Sequence, residues 1–179
     1  MKKLINIVTV GATALAMTAS IAAAEIKLGL DSAPYPPFAQ VDASGKQVGF
    51  EIEIGEALCA AMKEECVWTP IAWDGIIPAL TAGKIDAIIG SMSITEERKK
   101  VIDFSDKYYS TPAALVAAKS SAISDDPASL KGKIVGVQVS TIHANYADKY
   151  FVGMSDGVKN YQGFDEHNDD LVEGRVYAV

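Results

Sequence analysis

The stretch GKIDAIIGSMSITEERKKVIDFSDKYY, residues 83–109, indicates the fold more clearly than any other part of the sequence. Residues 84–89 are short, apolar and bounded by glycines, which is typical of a buried strand of a parallel sheet. A polar turn follows at residues 91–93. Thr95 is a good helix N-cap, and acids followed by cations suit the two ends of a helix. The stretch therefore predicts a strand, a turn lined by hydroxyl groups and a helix N-terminus.

This turn and helix start are suited to binding a carboxylate. Backbone N–H groups at a helix start point toward an anion. Ser91 and Ser93 add hydroxyl donors, and Arg98 can form a two-pronged pair with a carboxylate. A plainer interpretation is that the serines only cap a helix and that Arg98 is one solvated charge among several. Both interpretations stay open from this stretch alone.

The segment SMSITEERKKVIDFS resembles a segment of the bacterial solute-binding proteins of family 3, which are periplasmic amino-acid-binding proteins. The lysine/arginine/ornithine and histidine binders belong to this family. A second stretch, GFEIEIGEAL at residues 49–58, is similar to the family's signature of a glycine and two acids before an apolar helix. By itself it predicts an ordinary amphipathic helix, in which Glu51 and Glu53 stabilise the helix start.

The resemblance implies an α/β protein with the two-lobe, type II periplasmic-binding-protein fold. It implies a first lobe at residues 25–111 and a partial second lobe at residues 112–179. Residues 112–118 are predicted to form a strand by which the chain leaves the first lobe. Family members continue with an aspartate that binds the ligand's α-ammonium group and with a return of the chain to the first lobe. We therefore expect this chain to be incomplete, lacking the C-terminal return to lobe 1.

The resemblance also implies which residues bind the ligand's carboxylate. The family's arginine at the position of Arg98 binds the α-carboxylate, and serines at the positions of Ser91 and Ser93 hydrogen-bond the ligand. Gly90 departs from relatives that have a serine there. Thr141 matches a residue that contacts the same carboxylate from the second lobe. This threonine, with the serine before it, is also expected to cap a helix.

Three further residues are expected to contact the ligand's side chain. Asp31 and Tyr35 follow the first predicted strand, at the end of an open α/β sheet where ligands bind. In the family an acid near Asp31 pairs with a basic side chain, although acids in such loops are also common turn formers. Aromatic residues at the positions of Tyr35 and Trp73 sandwich the ligand's side chain in the family. Packing in the core is the alternative for Trp73. A helix is expected to begin at this tryptophan, with Asp74 as its N-cap.

The first 24 residues predict a secretory signal peptide. Lys2 and Lys3 precede a mostly apolar run, and residues 22–24 offer a cleavage site of small residues. A membrane anchor is the alternative, and the glycine, threonine and serine that interrupt the run disfavour it. The net charge of −7 argues against a nucleic-acid partner.

The two cysteines, Cys59 and Cys66, both lie in the predicted exported part. An oxidising compartment predicts a disulfide between them, and two thiols without a nearby histidine are too few for a metal site. His143 is expected on a helix, at the surface or half buried, and His167 on the solvated surface. Neither histidine has an evident catalytic partner.

These observations predict a periplasmic, monomeric binding protein without a cofactor and without enzymatic activity. It would capture a polar or basic amino acid, or an opine-like conjugate, and deliver it to the permease of an ABC transporter in the inner membrane. One alternative is an exported dehydratase of the same fold, whose acid–base chemistry would need Asp31 or His143. Another is the sensor domain of a membrane receptor.

Overall fold

The structure, a computed structural model, describes residues 25–124 and 126–179, so the predicted signal peptide lies outside the described residues. The strands are β1 (Ile26–Asp31), β2 (Gln40–Val41), β3 (Gln47–Val48), β4 (Cys66–Ile71), β5 (Ala87–Ile88), β6 (Ile134–Gln138) and β7 (Gly157–Tyr161). The helices are α1 (Phe50–Met62), α2 (Trp73–Thr81), α3 (Glu96–Lys99), a 3₁₀ helix (Pro127–Leu130), α4 (Ile142–Tyr150) and α5 (Phe164–Val172). Within this part of the chain, no helix has the length and apolar character needed to cross a membrane.

The first sheet has three parallel strands in the order β4-β1-β5. β1 lies in the centre, where Ile26 pairs with Cys66 and Leu28 pairs with Ala87. Leu28 and Leu30 are both buried. Helices cover a parallel sheet on both faces, which is why its strands are mostly apolar.

Helix α1 packs on this sheet through residues at helical spacing. Ile52, Gly55 and Cys59 are its buried apolar positions. A Cβ atom on Gly55 would lie 2.4 Å from the ring of Trp68, so only glycine allows this approach of helix and strand. Cys59 forms the predicted disulfide with Cys66 at the start of β4, with their Cα atoms 6.1 Å apart. The prediction of a disulfide is therefore confirmed.

The second sheet has two parallel strands, β6 and β7, with Ile134 paired to Gly157. Its apolar core lies between β6, α4 and the 3₁₀ helix. The buried members of that core are Leu130, Val135, Val137, Ala144, Ala147 and Phe151. Ala178 bridges both Val135 and Ala117, so it lies beside the edge of β6.

Two predicted strands differ from the structure. Of residues 84–89, only Ala87–Ile88 pair as a strand, although Ile85 is buried and packs over Gly29 of β1. Residues 112–118 form no strand beyond the bridge at Ala117. Their contact with another segment is the pair of backbone hydrogen bonds between Val116 and Val179 beside the bridge of Ala117 to Ala178, which is too short for a ladder.

Two predictions about single residues are wrong. Asp74 does not cap α2, because the helix begins at Trp73 and Ala72 is the N-cap residue. The negative charge of Asp74 lies in the first turn, where it still stabilises the helix start. His167 is not solvated but only 6% exposed. Helix α5 turns it toward β6, where its Cβ lies 3.3 Å from the position of a Cβ on Gly136.

Candidate functional site

A cavity of about 60 Å³ lies where the carboxyl ends of the two sheets meet. Asp31 ends β1, Gln138 ends β6, and their side chains are joined by a hydrogen bond of 2.7 Å. Residues from both sheets line the cavity. All of the residues predicted to bind ligand are among them, namely Asp31, Tyr35, Trp73, Ser91, Ser93, Arg98 and Thr141. Their convergence follows from the general position of sites at the carboxyl ends of parallel strands.

Arg98 reaches the cavity from α3. Thr95 caps this helix as predicted, since its hydroxyl oxygen accepts a hydrogen bond from the Arg98 backbone N–H at 3.2 Å. The guanidinium donates to the backbone carbonyls of Ser93, at 2.9 Å, and Ser140, at 3.0 Å. Its Cζ also lies 5.9 Å from the centre of the Trp73 ring. Arg98 therefore touches both halves of the molecule and is held in one orientation.

Among the residues that the structure describes, the positive charge of Arg98 has no acidic partner. No carboxylate of residues 25–124 and 126–179 lies within ion-pair distance of it. Partial burial lowers the pKa of Arg98, because desolvation disfavours its charged form. A partly buried cation without an acidic partner is stabilised by an anion that enters the cavity.

The second half of the molecule repeats the predicted strand, turn and helix start. Ser140 follows β6 with φ 59°, as Ser91 follows β5 with φ 57°, so both turns pass through the left-handed region. Thr141 caps α4 by accepting from the Ala144 N–H at 3.0 Å, and its hydroxyl donates to the Gln138 carbonyl at 2.7 Å. Its hydroxyl proton is thus already used. Because Thr141 uses the Ala144 N–H, the backbone N–H groups of Ile142 and His143 are the first-turn donors of α4 that remain for a ligand in the cavity that these residues line.

Asp31 and Gln138 form a polar pair across the cavity. One Asp31 carboxylate oxygen accepts from Gln138 Nε2, and the other accepts from the Ala33 N–H at 3.1 Å. Gln138 Nε2 also donates to the Gln162 carbonyl at 2.8 Å. Burial raises the pKa of Asp31 above its ordinary value of 3.8. Gln138 is only 2% exposed, and its Oε1 has no hydrogen-bond partner in the described part of the chain.

Aromatic rings close one side of the cavity. Tyr35 stacks on Phe38, with ring centroids 4.8 Å apart, and on Phe164 at the start of α5, at 4.6 Å. Trp73 lies against Arg98 instead, and its Nε1 donates to the Ser140 carbonyl at 3.2 Å. Both predicted aromatic residues thus line the cavity, and their sandwiching of a ligand side chain stays a prediction.

Glu51 lines the cavity, whereas the sequence predicted for it only a role at the start of a helix. It is fully buried, with 0% exposure, at the start of α1. Its carboxylate is held by hydroxyl groups: Ser91 Oγ lies 2.5 Å from one oxygen, Tyr108 lies 2.6 Å from the other, and Tyr109 lies 3.0 Å from the first. Its environment differs entirely from that of Glu53, which is exposed two residues later.

The described residues of the cavity do not include a histidine bonded to an acid or a cluster of metal ligands. His143 lines the cavity, and burial lowers its pKa, but it has no side-chain hydrogen bond to an acid or nucleophile in the described part of the chain. Among residues 25–124 and 126–179 there is no cluster of three metal-ligating side chains. The cavity therefore offers polar recognition groups rather than an assembled acid–base pair.

The family model for the bacterial extracellular solute-binding proteins, family 3, matches residues 26–174. The chain belongs to this family. The L-arginine-binding protein of Pseudomonas aeruginosa is 40% identical over 179 residues, which are 100% of this chain and 69% of that protein. The lysine/arginine/ornithine-binding periplasmic protein of Escherichia coli is 41% identical over 154 residues, 86% of this chain and 59% of that protein.

The solved structures agree with this membership. An ancestral arginine-binding protein bound to arginine superposes with a TM-score of 0.82 at 39% identity, covering 87% of this chain and 68% of that one. The family 3 chain described here therefore has the α/β architecture of the type II periplasmic binding proteins, as predicted. It spans between 59% and 69% of the length of the two relatives named above.

Proposed function

We propose that this family 3 protein is the substrate-binding component of an amino-acid ABC transporter. The observation that carries the proposal is Arg98, a half-buried cation without an acidic partner in the described chain, fixed at a cavity that both halves line. A ligand α-carboxylate supplies the missing anion, with donors from Ser93 and from the start of α4.

The ligand class that fits the rest of the cavity is a polar or basic amino acid, or an opine-like conjugate. Asp31 and Gln138 offer acceptors to a positively charged or N–H-rich side chain, and Tyr35 and Trp73 offer ring faces to its aliphatic stem. The names of the relatives, which bind arginine, lysine and ornithine, support arginine as the first ligand to test.

The binding cycle we propose is a hinged closure of two lobes, residues 25–111 and 112–179. Three contacts support it, because each joins the two sheets across the cavity: Arg98 to the Ser140 carbonyl, Asp31 to Gln138, and Tyr35 to Phe164. The cavity of about 60 Å³ is far smaller than the usual small-molecule pocket of roughly 300 Å³ or more, so the lobes must separate for a ligand to enter.

The cellular setting follows from the same proposal. The predicted signal peptide directs the chain to the periplasm, which fits the Cys59–Cys66 disulfide and the periplasmic relative. There the protein acts as a monomer, needs no cofactor, and passes its amino acid to the permease of an inner-membrane ABC transporter. It is a binding protein and not an enzyme.

Calorimetric titration of the purified chain tests the proposal. The panel contains arginine, lysine, ornithine, histidine, glutamine, octopine and prephenate, with agmatine as arginine without its carboxylate. We expect at least one amino acid to bind and agmatine to bind far more weakly. A ligand at a hundredfold excess over its Kd should also raise the free energy of unfolding by about 2.7 kcal/mol. Equal binding of arginine and agmatine, or turnover of prephenate, would refute it.

A further inference from the structure

Ser140, in the turn between β6 and α4, has a strained backbone. Its φ of 59° lies in the left-handed region, which a residue with a Cβ atom adopts only at a cost. The side chain is exposed, so packing of the side chain does not enforce this conformation. Instead, the carbonyl oxygen accepts a hydrogen bond from Arg98 at 3.0 Å and another from the indole of Trp73 at 3.2 Å. Both donors belong to the half of the molecule that is built on the first sheet, so bonds across the boundary hold the strained peptide.

Two other non-glycine residues with positive φ provide a comparison, because both are held within one half of the molecule. Lys63 has φ 61° at the end of α1, where its N–H donates to the Ala60 carbonyl at 3.2 Å. Ser91 has φ 57°, and its hydroxyl donates to Glu51 at 2.5 Å. Among the residues that the structure describes, the backbone hydrogen bonds of Ser140 come from the other half of the molecule alone. The left-handed conformation of Ser140 is thus linked to the contact between the halves.

We propose that Ser140 is an affinity-determining residue, whose peptide is left-handed when the lobes are closed and relaxes when they separate. Closure then carries a free-energy cost that the bound ligand must offset. Ser140 is a positioning residue, because its carbonyl oxygen orients Arg98 and need not touch the ligand. The proposal rests on the proposed function, since it takes the hinged closure of two lobes as its starting point, and it adds a residue that sets how favourable closure is.

The hydrogen bonds around the turn support this relaxation. A strained residue keeps its conformation only where the surroundings enforce it, and such residues cluster at ligand clamps and switches. When the lobes part, both donors to the Ser140 carbonyl leave with the first lobe. The bonds that remain in the second lobe flank Ser140 without including it: the Val139 N–H donates to the Tyr161 carbonyl at 2.9 Å. The Thr141 hydroxyl donates to the Gln138 carbonyl at 2.7 Å. Because ligand affinity rises with the population of the closed form, relieving a strain that exists only in that form should tighten binding.

The test is a series of substitutions at Ser140, titrated calorimetrically with arginine, lysine, ornithine and histidine. Glycine adopts positive φ without strain, so Ser140→Gly should bind its amino acid at least about fivefold more tightly, which is about 1 kcal/mol. Ser140→Asn should show a smaller gain, because asparagine tolerates this region better than serine. Ser140→Ala removes the hydroxyl and keeps the strain, so it should show no gain. Lys63→Gly is the matched control: it relieves the same kind of strain within one half, and should raise the melting temperature while Kd changes by less than about twofold.

A Ser140→Gly chain that melts at a higher temperature but binds with unchanged or lower affinity would overturn the proposal, since the strain would then be present in the open and closed forms alike. Small-angle X-ray scattering of the ligand-free chains gives a second readout that needs no ligand. Ser140→Gly should have a smaller radius of gyration than the unmodified chain, because its closed form is more populated. If the unmodified chain binds no amino acid while Ser140→Gly is still the more compact, the proposed function falls and the role of Ser140 in closure stands.

Discussion

Replacing Arg98 separates recognition of the ligand's carboxylate from every other contribution to binding. An arginine has five N–H donors, and Arg98 uses two of them on the carbonyls of Ser93 and Ser140. Three donors remain, which is enough for a two-pronged pair with a carboxylate. Arg98→Met removes the pair and the charge, whereas Arg98→Lys keeps the charge and loses the planar fork.

The expected magnitude follows from those two remaining bonds. A hydrogen bond to a charged group contributes about 1.5–3 kcal/mol, and the half exposure of Arg98 places the pair at the lower end. We therefore expect Arg98→Met to lose about 3 kcal/mol of binding free energy for arginine, which is more than about a hundredfold in Kd. Arg98→Lys should lose about tenfold.

The assay is a cycle of two ligands and two proteins, in which arginine and agmatine are titrated calorimetrically into the unmodified and substituted chains. Agmatine lacks the carboxylate, so its affinity should change by less than about threefold in Arg98→Met. Because Arg98 also bonds the Ser140 carbonyl, a thermal melt must show that the variant is folded. Equal losses for arginine and agmatine would show that Arg98 holds the lobes together and does not bind the carboxylate.

Three further predictions concern stability and pH. Changing both Cys59 and Cys66 to serine removes a disulfide that closes a short loop, with a sequence separation of 7. The free energy of unfolding, measured by denaturant titration, should fall by about 2.5 kcal/mol. An unchanged unfolding midpoint would contradict this prediction. Affinity for arginine should fall as the pH is lowered through the raised pKa of Asp31, above 3.8, because a protonated Asp31 cannot pair with a cation. Asp31→Asn should bind arginine weakly, and its affinity should no longer depend on pH in this range. If protonation of His143 were the cause, the pH dependence would persist in Asp31→Asn. Gln138→Leu should move the midpoint of the same titration to higher pH, since the hydrogen bond from Gln138 lowers the pKa of Asp31; a shift to lower pH would refute that role.

Much of this architecture could be predicted because its signals are local. Thr95 and Thr141 both cap helices, as their positions before helical segments indicated. The apolar run before Thr141 forms the largely buried strand β6, whereas only Ala87–Ile88 of the run before Thr95 pair as a strand. Parallel strands bring such turns to one edge of a sheet, which is why the predicted site residues line a single cavity.

The parts that could not be predicted depend on contacts between distant residues. Glu51 and Glu53 are indistinguishable as acids in a first helical turn, yet only Glu51 meets Tyr108, 57 positions away. Gln138 is the one polar residue near the end of an otherwise apolar strand, a signal that marks it as unusual. Its partner Asp31 is 107 positions away, and only the meeting of the two sheets brings them together.

The carbonyl oxygen of Ser140 accepts hydrogen bonds from both Trp73 Nε1 and Arg98, and this gives the protein an internal optical probe. The chain has two tryptophans, and only Trp73 spans the boundary between the sheets; Trp68 packs within the first lobe against the apolar residues of α1 and β1. The proposed separation of the lobes would take the indole of Trp73 away from its carbonyl partner and expose it to water, while the surroundings of Trp68 would stay the same. Under that proposal, the intrinsic fluorescence of Trp73 would change on opening and closing, without any attached dye.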